Sequence, residues 1–148
     1  MGTSRPALTS PFMNYSVQRQ LSVAIENQPG RLAAITKVMA SRGINIKDLS
    51  VVDNVEQGMI RLVTNDPAAC KAVLVQEGFY VVEADVLVFI LKDTPGKLSR
   101  LCQALAEAKI NIDYAYGSED PSEEHVRIVM KVSNLEKACQ VIQTLQDN

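Results

Sequence analysis

Two short turns carry the residues best suited to bind a small molecule. Each has an Asn or Asp two residues before Pro-Gly, where an Asx turn is expected, and a helical segment follows directly. The first N–H groups of a helix lack internal partners and carry a partial positive charge, so they attract a carboxylate. The glycine lets a ligand approach the backbone closely. The turns are Asn27-Gln28-Pro29-Gly30-Arg31-Leu32 and Asp93-Thr94-Pro95-Gly96-Lys97-Leu98.

An asparagine flanked by isoleucines follows each turn at the same distance. Strand alternation directs the amides of Asn45 and Asn111 away from the neighbouring isoleucine side chains. Because an amide both donates and accepts hydrogen bonds, it suits the carboxylate and ammonium groups of a zwitterion. One such turn is weak support for binding, since similar turns are common. Its occurrence twice, with the asparagine at equal spacing, favours a ligand site.

The turns and asparagines belong to a tandem repeat. A shift of 66 residues places Pro29-Gly30 on Pro95-Gly96 and Ile44-Asn45-Ile46 on Ile110-Asn111-Ile112. The same shift places Arg61 on Arg127, a pair that could clamp a carboxylate or form structural ion pairs. Apolar spacing predicts the order βαββαβ for the first copy. The second copy ends after its second helix and lacks its last strand, which leaves a sheet edge that proteins normally cover.

Local signals set the expected boundaries. Residues 1–13 have no periodicity and are expected to be a disordered leader or a remnant of cloning. Module 1 is expected over 14–85 and module 2 over 86–148, joined by one long shared strand. Asp66-Pro67 predicts a helix start, and Ser133-x-x-Glu136 predicts a capping box at another.

The composition excludes several classes of function. The chain is 47% hydrophobic and 22% charged with a net charge of −2, which indicates a globular protein without the basic excess of nucleic-acid binders. No apolar run approaches the roughly 18 residues of a membrane span, and no secretion signal is visible, so we expect a cytoplasmic protein. A single histidine and three scattered cysteines offer no metal site. No catalytic motif is visible in the sequence. An acylphosphatase-like hydrolase is a poor fit, because the turn is short and contains proline. We therefore expect that the protein is not an enzyme.

The pattern Asn/Asp-x-Pro-Gly-x-Leu, then a helix and Gly-Ile-Asn-Ile, resembles the ACT domain family, and most closely its free-standing tandem members. The resemblance implies an α+β fold of two ferredoxin-like modules, with antiparallel sheets and helices on one face. It implies a non-catalytic regulatory protein without a cofactor, which forms a homodimer and acts with an enzyme of amino-acid metabolism. The ligand, a small amino acid, would lie between the turn of one module and the second strand of another. Carried over by position, the ligand-binding residues are Asn27, Gln28, Pro29, Gly30, Arg31, Leu32, Asn45, Ile46, Asp93, Thr94, Pro95, Gly96, Lys97, Leu98, Asn111 and Ile112.

The second copy departs from this pattern in two places. Asp93 replaces Asn27, and a carboxylate repels a ligand carboxylate but attracts an ammonium group. Lys109 stands where the first copy has Gly43. If only one site binds, we expect it to use Asn27 and Asn45. The alternative function is a ligand-free interaction or dimerisation module that serves as a regulatory subunit.

Overall fold

The structure is a computed structural model that describes residues 8–9, 12–26, 28–53, 57–120 and 124–145. The elements are β1 (Leu8–Thr9), β2 (Asn14–Ile25), α1 (Arg31–Ser41), β3 (Ile46–Val52), β4 (Gly58–Thr64), α2 (Pro67–Gln76), β5 (Val81–Lys92), α3 (Lys97–Glu107), β6 (Ile112–Asp120), β7 (His125–Val132) and α4 (Leu135–Thr144). None of the described helices is long and apolar enough to cross a bilayer.

The chain divides into two compact units. The described residues of Gln18–Ala84 form unit 1, and those of Arg5–Val17 together with Asp85–Asn148 form unit 2. Strands β2 and β5 therefore each contribute residues to both units. The predicted long shared strand is confirmed, because β5 continues through Asp85 without interruption.

Unit 1 has the predicted βαββαβ order. Its strands are arranged β3-β4-β2-β5, and β4 pairs antiparallel with both β2 and β3. The buried sides of α1 and α2 cover one sheet face and share a core with Leu21, Ile60 and Leu62. This arrangement confirms the predicted α+β fold class.

Unit 2 repeats the arrangement but takes one strand from the N-terminal part of the chain. Its strands are arranged β6-β7-β5-β2. In unit 1 the last strand of the order is β5, which lies beside β2; in unit 2 the last strand is β2, which lies beside β5. The N-terminal residues Phe12, Met13, Tyr15 and Val17 are buried in the unit 2 core. The N-terminal segment thus adds a strand beside β5 in unit 2, and β2 begins at Asn14, before the alternating apolar pattern that starts at Gln20 in the sequence.

The structure corrects one predicted helix cap and confirms another. The residue that caps α4 is Asn134, whose Oδ1 accepts a hydrogen bond from the Lys137 N–H at 3.0 Å, and not Ser133. The predicted Asp66 cap of α2 is confirmed, with Oδ1 accepting from the Ala69 N–H. These two caps are 68 residues apart, whereas the glycines that precede α1 and α3 are 66 apart.

The offset between equivalent residues of the two copies increases from 66 to 68 within the β6–β7 hairpin. Arg61 and Arg127, which are 66 residues apart and follow this increase, are therefore not equivalent as predicted. Arg61 pairs with Ser22 on β2. Arg127 pairs with Ile90 on β5, two residues beyond the position equivalent to Ser22. The two arginines therefore occupy different positions in their sheets, and their apparent recurrence is not a shared carboxylate clamp.

Candidate functional site

Both Pro-Gly turns adopt the same backbone conformation. The Arg31 N–H donates to the Gln28 carbonyl and the Lys97 N–H to the Thr94 carbonyl, each at 3.3 Å. Proline occupies the second position of each turn, and the glycine after it has φ of 89° or 92°. These features define a type II turn, whose third residue must tolerate positive φ. Glycine is therefore favoured strongly at the third position of each turn, and proline suits the second position because its φ is fixed near the required value.

The turns leave the starts of α1 and α3 without side-chain caps. Asp93 does not form the expected Asx cap; instead its N–H donates to the Glu124 carbonyl at 2.8 Å, which ties the turn to the β6–β7 hairpin. Asn27 lies outside the described residues. The uncapped N–H groups retain the partial positive charge that favours an anion.

The two turns differ in the surroundings of their basic side chain. Arg31 Nη2 lies 3.1 Å from Glu26 Oε2 in an exposed ion pair. Lys97 Nζ instead lies 4.5 Å from the centroid of the Phe12 ring, and Arg100 lies over the same ring at 5.7 Å. Contact with the face of an aromatic ring favours a cation. The N-terminal segment thus helps to position the lysine of the second turn.

The two asparagines are exposed and immediately precede their strands, whereas the sequence predicted that they lie one residue inside strands beginning at Ile44 and Ile110. The backbone of each is held by a residue near the end of the next strand. The Asn45 N–H donates to Asn65 Oδ1 and the Asn111 N–H donates to Ser133 Oγ, both at 2.9 Å. Ser133 therefore holds the backbone of Asn111, and the next residue, Asn134, caps α4 in its place.

The amide of Asn111 is part of a short polar chain. Its Nδ2 donates to Asp113 Oδ1 at 3.0 Å, and Lys131 Nζ lies 3.0 Å from Asp113 Oδ2. The Lys131 hydrogen bond, followed by that of Asn111, lowers the pKa of Asp113 below its ordinary value. One donor of this amide is therefore already engaged within the module.

Within one unit, the turn and the asparagine lie at opposite ends of a helix. Helix α1 has 11 residues and separates Arg31 from Asn45 by about 16 Å along its axis. The turn and asparagine of the same copy therefore do not form one small-molecule site. Leu98 and Ile112 are the predicted pair that the structure does bring together, because both line a cavity in unit 2.

This cavity, of about 410 Å³, lies between α3 and the inner face of β6 and β7. Its floor is apolar and includes Ile128 and Met130, and Ala115 forms part of its β6 side. A smaller cavity of about 120 Å³ adjoins the second turn, and its lining includes Asp93, Thr94, Lys97 and Leu98. Sequence reasoning identified the residues of the turn but missed the apolar floor. The available signal was the small residue Ala115 at a position where the first copy has Leu49.

Unit 1 has a more polar cavity beside its own turn. It measures about 330 Å³, and its lining includes Glu26, Arg31, Gln57 and Tyr80. Of the residues predicted to bind ligand, this cavity contains Arg31. The two turns, alike in backbone, therefore adjoin cavities of different chemistry.

Comparison with solved structures relates the whole chain to known folds. Protein BT0572 from Bacteroides thetaiotaomicron superposes with a TM-score of 0.80 at 29% identity, covering 86% of this chain and 87% of that one. The ligand-free regulatory subunit of aspartate kinase from Thermus thermophilus gives a TM-score of 0.65 at 17% identity, covering 90% and 97%. Aspartokinase III of E. coli, in complex with lysine and aspartate, gives a TM-score of 0.55 at 14% identity, covering 90% and 32%.

Comparison with curated protein sequences found no significant match. The family described as "ACT domain pair" matches residues 16–147, which include both turns, both asparagines and all four helices. The family match agrees with the repeated modules and with the paired Pro-Gly turns. The chain therefore belongs to the ACT domain family and contains a pair of ACT domains.

Proposed function

We propose that this chain is a non-catalytic regulatory protein that binds a small amino acid and controls an enzyme of amino-acid metabolism in the cytoplasm. The observation that supports this most directly is the duplicated type II turn, which presents an uncapped helix N-terminus beside a basic residue. The fold is shared with a regulatory subunit of aspartate kinase and with an aspartokinase solved with lysine and aspartate. Regulation by an amino acid is a function that this arrangement can perform without catalytic residues.

The proposed ligand lies between modules. Its carboxylate contacts the N–H groups at the start of a helix, and the asparagine of another module contacts its polar groups. A ligand that touches both must bridge two modules, since about 16 Å separates the turn and the asparagine of one copy. The proposed contacts are residues 27–32 with Asn45 and Ile46, and residues 93–98 with Asn111 and Ile112. The pair Asn27 and Asn45 is proposed as the stronger intermodular site because Asp93 repels a carboxylate.

We further propose a homodimer that pairs through the edge of unit 1. In the described part of the chain β3 pairs only with β4. Its side chains Leu49 and Val51 are 41% and 52% exposed, which is unusual for large apolar residues on a sheet edge. Pairing with a second copy would cover both the apolar side chains and the unpaired backbone groups. Light scattering should then give twice the monomer mass of 16.2 kDa.

A thermal-shift screen with the twenty common amino acids tests the ligand proposal. A ligand at 100 times its Kd should stabilise the protein by about 2.7 kcal/mol and raise Tm by several degrees. Asn45→Ala should reduce this shift, because it removes a proposed ligand contact. Asn14→Ala is the matched control, because it removes an exposed asparagine side chain that lies outside the proposed contacts. The absence of a shift with every amino acid would refute the proposal.

A second function, a ligand-free interaction module, is favoured by the polar groups already engaged within each copy. Arg31 is paired with Glu26, and the Asn111 amide donates to Asp113. Under this alternative, replacement of both Asn27 and Asn45 by Ala leaves the oligomeric state and enzyme binding unchanged. Under the ligand hypothesis, the same double variant loses the response of the bound enzyme to the amino acid.

A further inference from the structure

We propose that unit 2 contains a self-contained amino-acid site that selects ligands with an apolar side chain. The proposal rests on the amino-acid-binding function and adds to it a second site with its own ligand class, which lies within one module and is separate from the proposed intermodular site of Asn27 and Asn45. The side-chain pocket is the cavity of about 410 Å³ between α3 and the β6–β7 sheet. The head-group pocket is the cavity of about 120 Å³ at the second turn.

The side-chain pocket exists because β6 carries small residues on its inner face. Ala115 pairs with Met130 and Gly117 pairs with Ile128. The corresponding pairs in unit 1 are Leu49 with Leu62 and Val51 with Ile60. Unit 1 thus places two large side chains where unit 2 places a methyl group and a hydrogen atom. The pocket is therefore a property of the second copy and not of the fold as such.

The two pockets share part of their lining. Leu98, Val126 and Ile128 line both of them. The proposed ligand lies along this shared lining, with its head group at the turn and its side chain in the apolar pocket.

The head-group pocket holds charges of both signs. Lys97 and Asp93 line it together with Thr94, and the uncapped start of α3 adjoins it. The lysine and the helix N-terminus suit a carboxylate, and the Asp93 carboxylate suits an ammonium group. Asp93, which stands where the first copy has Asn27, would repel a ligand that carries only a carboxylate. For a zwitterion, it instead offers a contact to the ammonium group.

The side-chain pocket discriminates by the cost of burying polar groups. Most of its lining, including Leu98, Ile112, Ile128 and Met130, offers no hydrogen-bond partner, and its hydroxyl groups are those of Tyr116 and Ser118. An aliphatic, thioether or phenyl side chain instead gains free energy on leaving water. A charged side chain would lose hydrogen bonds to water that two hydroxyl groups cannot replace in full. The ligands expected to bind are leucine, isoleucine, methionine and phenylalanine.

Calorimetric titration of the full chain with these four amino acids, and with serine, aspartate and lysine, tests the proposal. Ala115→Leu fills the pocket with the side chain that unit 1 carries at this position, so the variant should fold. We expect it to raise the Kd for the apolar ligands about tenfold or more. Ala40→Leu, the same substitution at an exposed position of α1, is the matched control, and we expect it to change Kd by less than about twofold. Should Ala115→Leu fail to fold, Cys102→Leu fills the pocket from α3 with the same expected result.

The head group is tested with Lys97→Met and with leucinamide, which lacks the carboxylate. Each should weaken binding about tenfold, because each removes one charge of the same pair. Unchanged Kd values in both Ala115→Leu and Cys102→Leu would overturn the proposal. Binding of serine, aspartate or lysine without binding of the apolar amino acids would also overturn it, while leaving the regulatory function in place. Binding of no amino acid would refute both.

Discussion

Replacement of Tyr15 by alanine should destabilise unit 2, although Tyr15 is far from this unit in sequence. The side chain is 3% exposed and packs in the same core as Leu87 and Phe89. Its hydroxyl group accepts a hydrogen bond from Gln143 Nε2 on α4 at 2.6 Å. Removal of a buried aromatic ring costs about 3–5 kcal/mol. Loss of the hydrogen bond contributes about 1 kcal/mol, because the exposed Gln143 can turn to water.

Urea unfolding followed by circular dichroism measures this change, and Tyr15→Phe separates its parts. The phenylalanine variant keeps the ring and should lose only about 1 kcal/mol. Tyr80→Ala is the control, since Tyr80 is 74% exposed and its removal should cost less than about 0.5 kcal/mol. Hydrogen exchange in Tyr15→Ala should increase in β7 and α4 more than in β4 and α2. A free energy of unfolding within 0.5 kcal/mol of the parent, or faster exchange confined to unit 1, would refute the assignment of this strand to unit 2.

Three further predictions concern single residues. Lys109 follows the C-cap of α3 and has φ of 60°, so Lys109→Gly should stabilise the protein by about 1 kcal/mol. Gly43→Ala at the equivalent position should destabilise it by a similar amount, and a thermal unfolding midpoint that moves in the same direction for both variants would contradict this. A Cβ at Gly117 would run into the backbone of β7, whereas one at Gly58 meets its nearest atom at 3.4 Å. Gly117→Ala should therefore cost about 2–3 kcal/mol and Gly58→Ala less than about 1 kcal/mol, as measured by urea unfolding. Burial raises the pKa of the Cys70 thiol from 9.0 to about 11, so the unfolded state loses this proton first and stability falls as pH rises from 9.0 to about 11. Cys70→Ala should flatten that slope, and an unchanged slope would argue against the shift.

The features that the sequence predicted well are those that depend on neighbouring residues. The Pro-Gly turns, the Asp66 cap and the βαββαβ order follow from backbone preferences and apolar spacing over a few residues. Errors arose where a distant partner decides between local options. Ser133 and Asn134 can both cap α4, and the choice falls to Asn134 because Ser133 Oγ accepts from the Asn111 N–H.

The candidate site shows the same division. The turn residues 93–98 were recognisable from their repetition, and the structure gives both turns one conformation. The pairing of Leu98 with Ile112 on one cavity was not predictable, since it depends on how α3 packs over the sheet. The false equivalence of Arg61 and Arg127 arose because an ungapped comparison cannot register the longer hairpin between β6 and β7.

The sequence alone determined that one module occurs twice and that each copy presents a helix start behind a Pro-Gly turn. Tertiary structure decided that Phe12, Met13, Tyr15 and Val17 enter the unit 2 core. It also decided that small residues on β6 open an apolar pocket beside the second turn. The physical reason is the separation along the chain over which each kind of interaction acts. Turn and helix preferences act between neighbours in the chain, whereas strand order, register and cavities result from burying apolar surface between segments far apart in sequence.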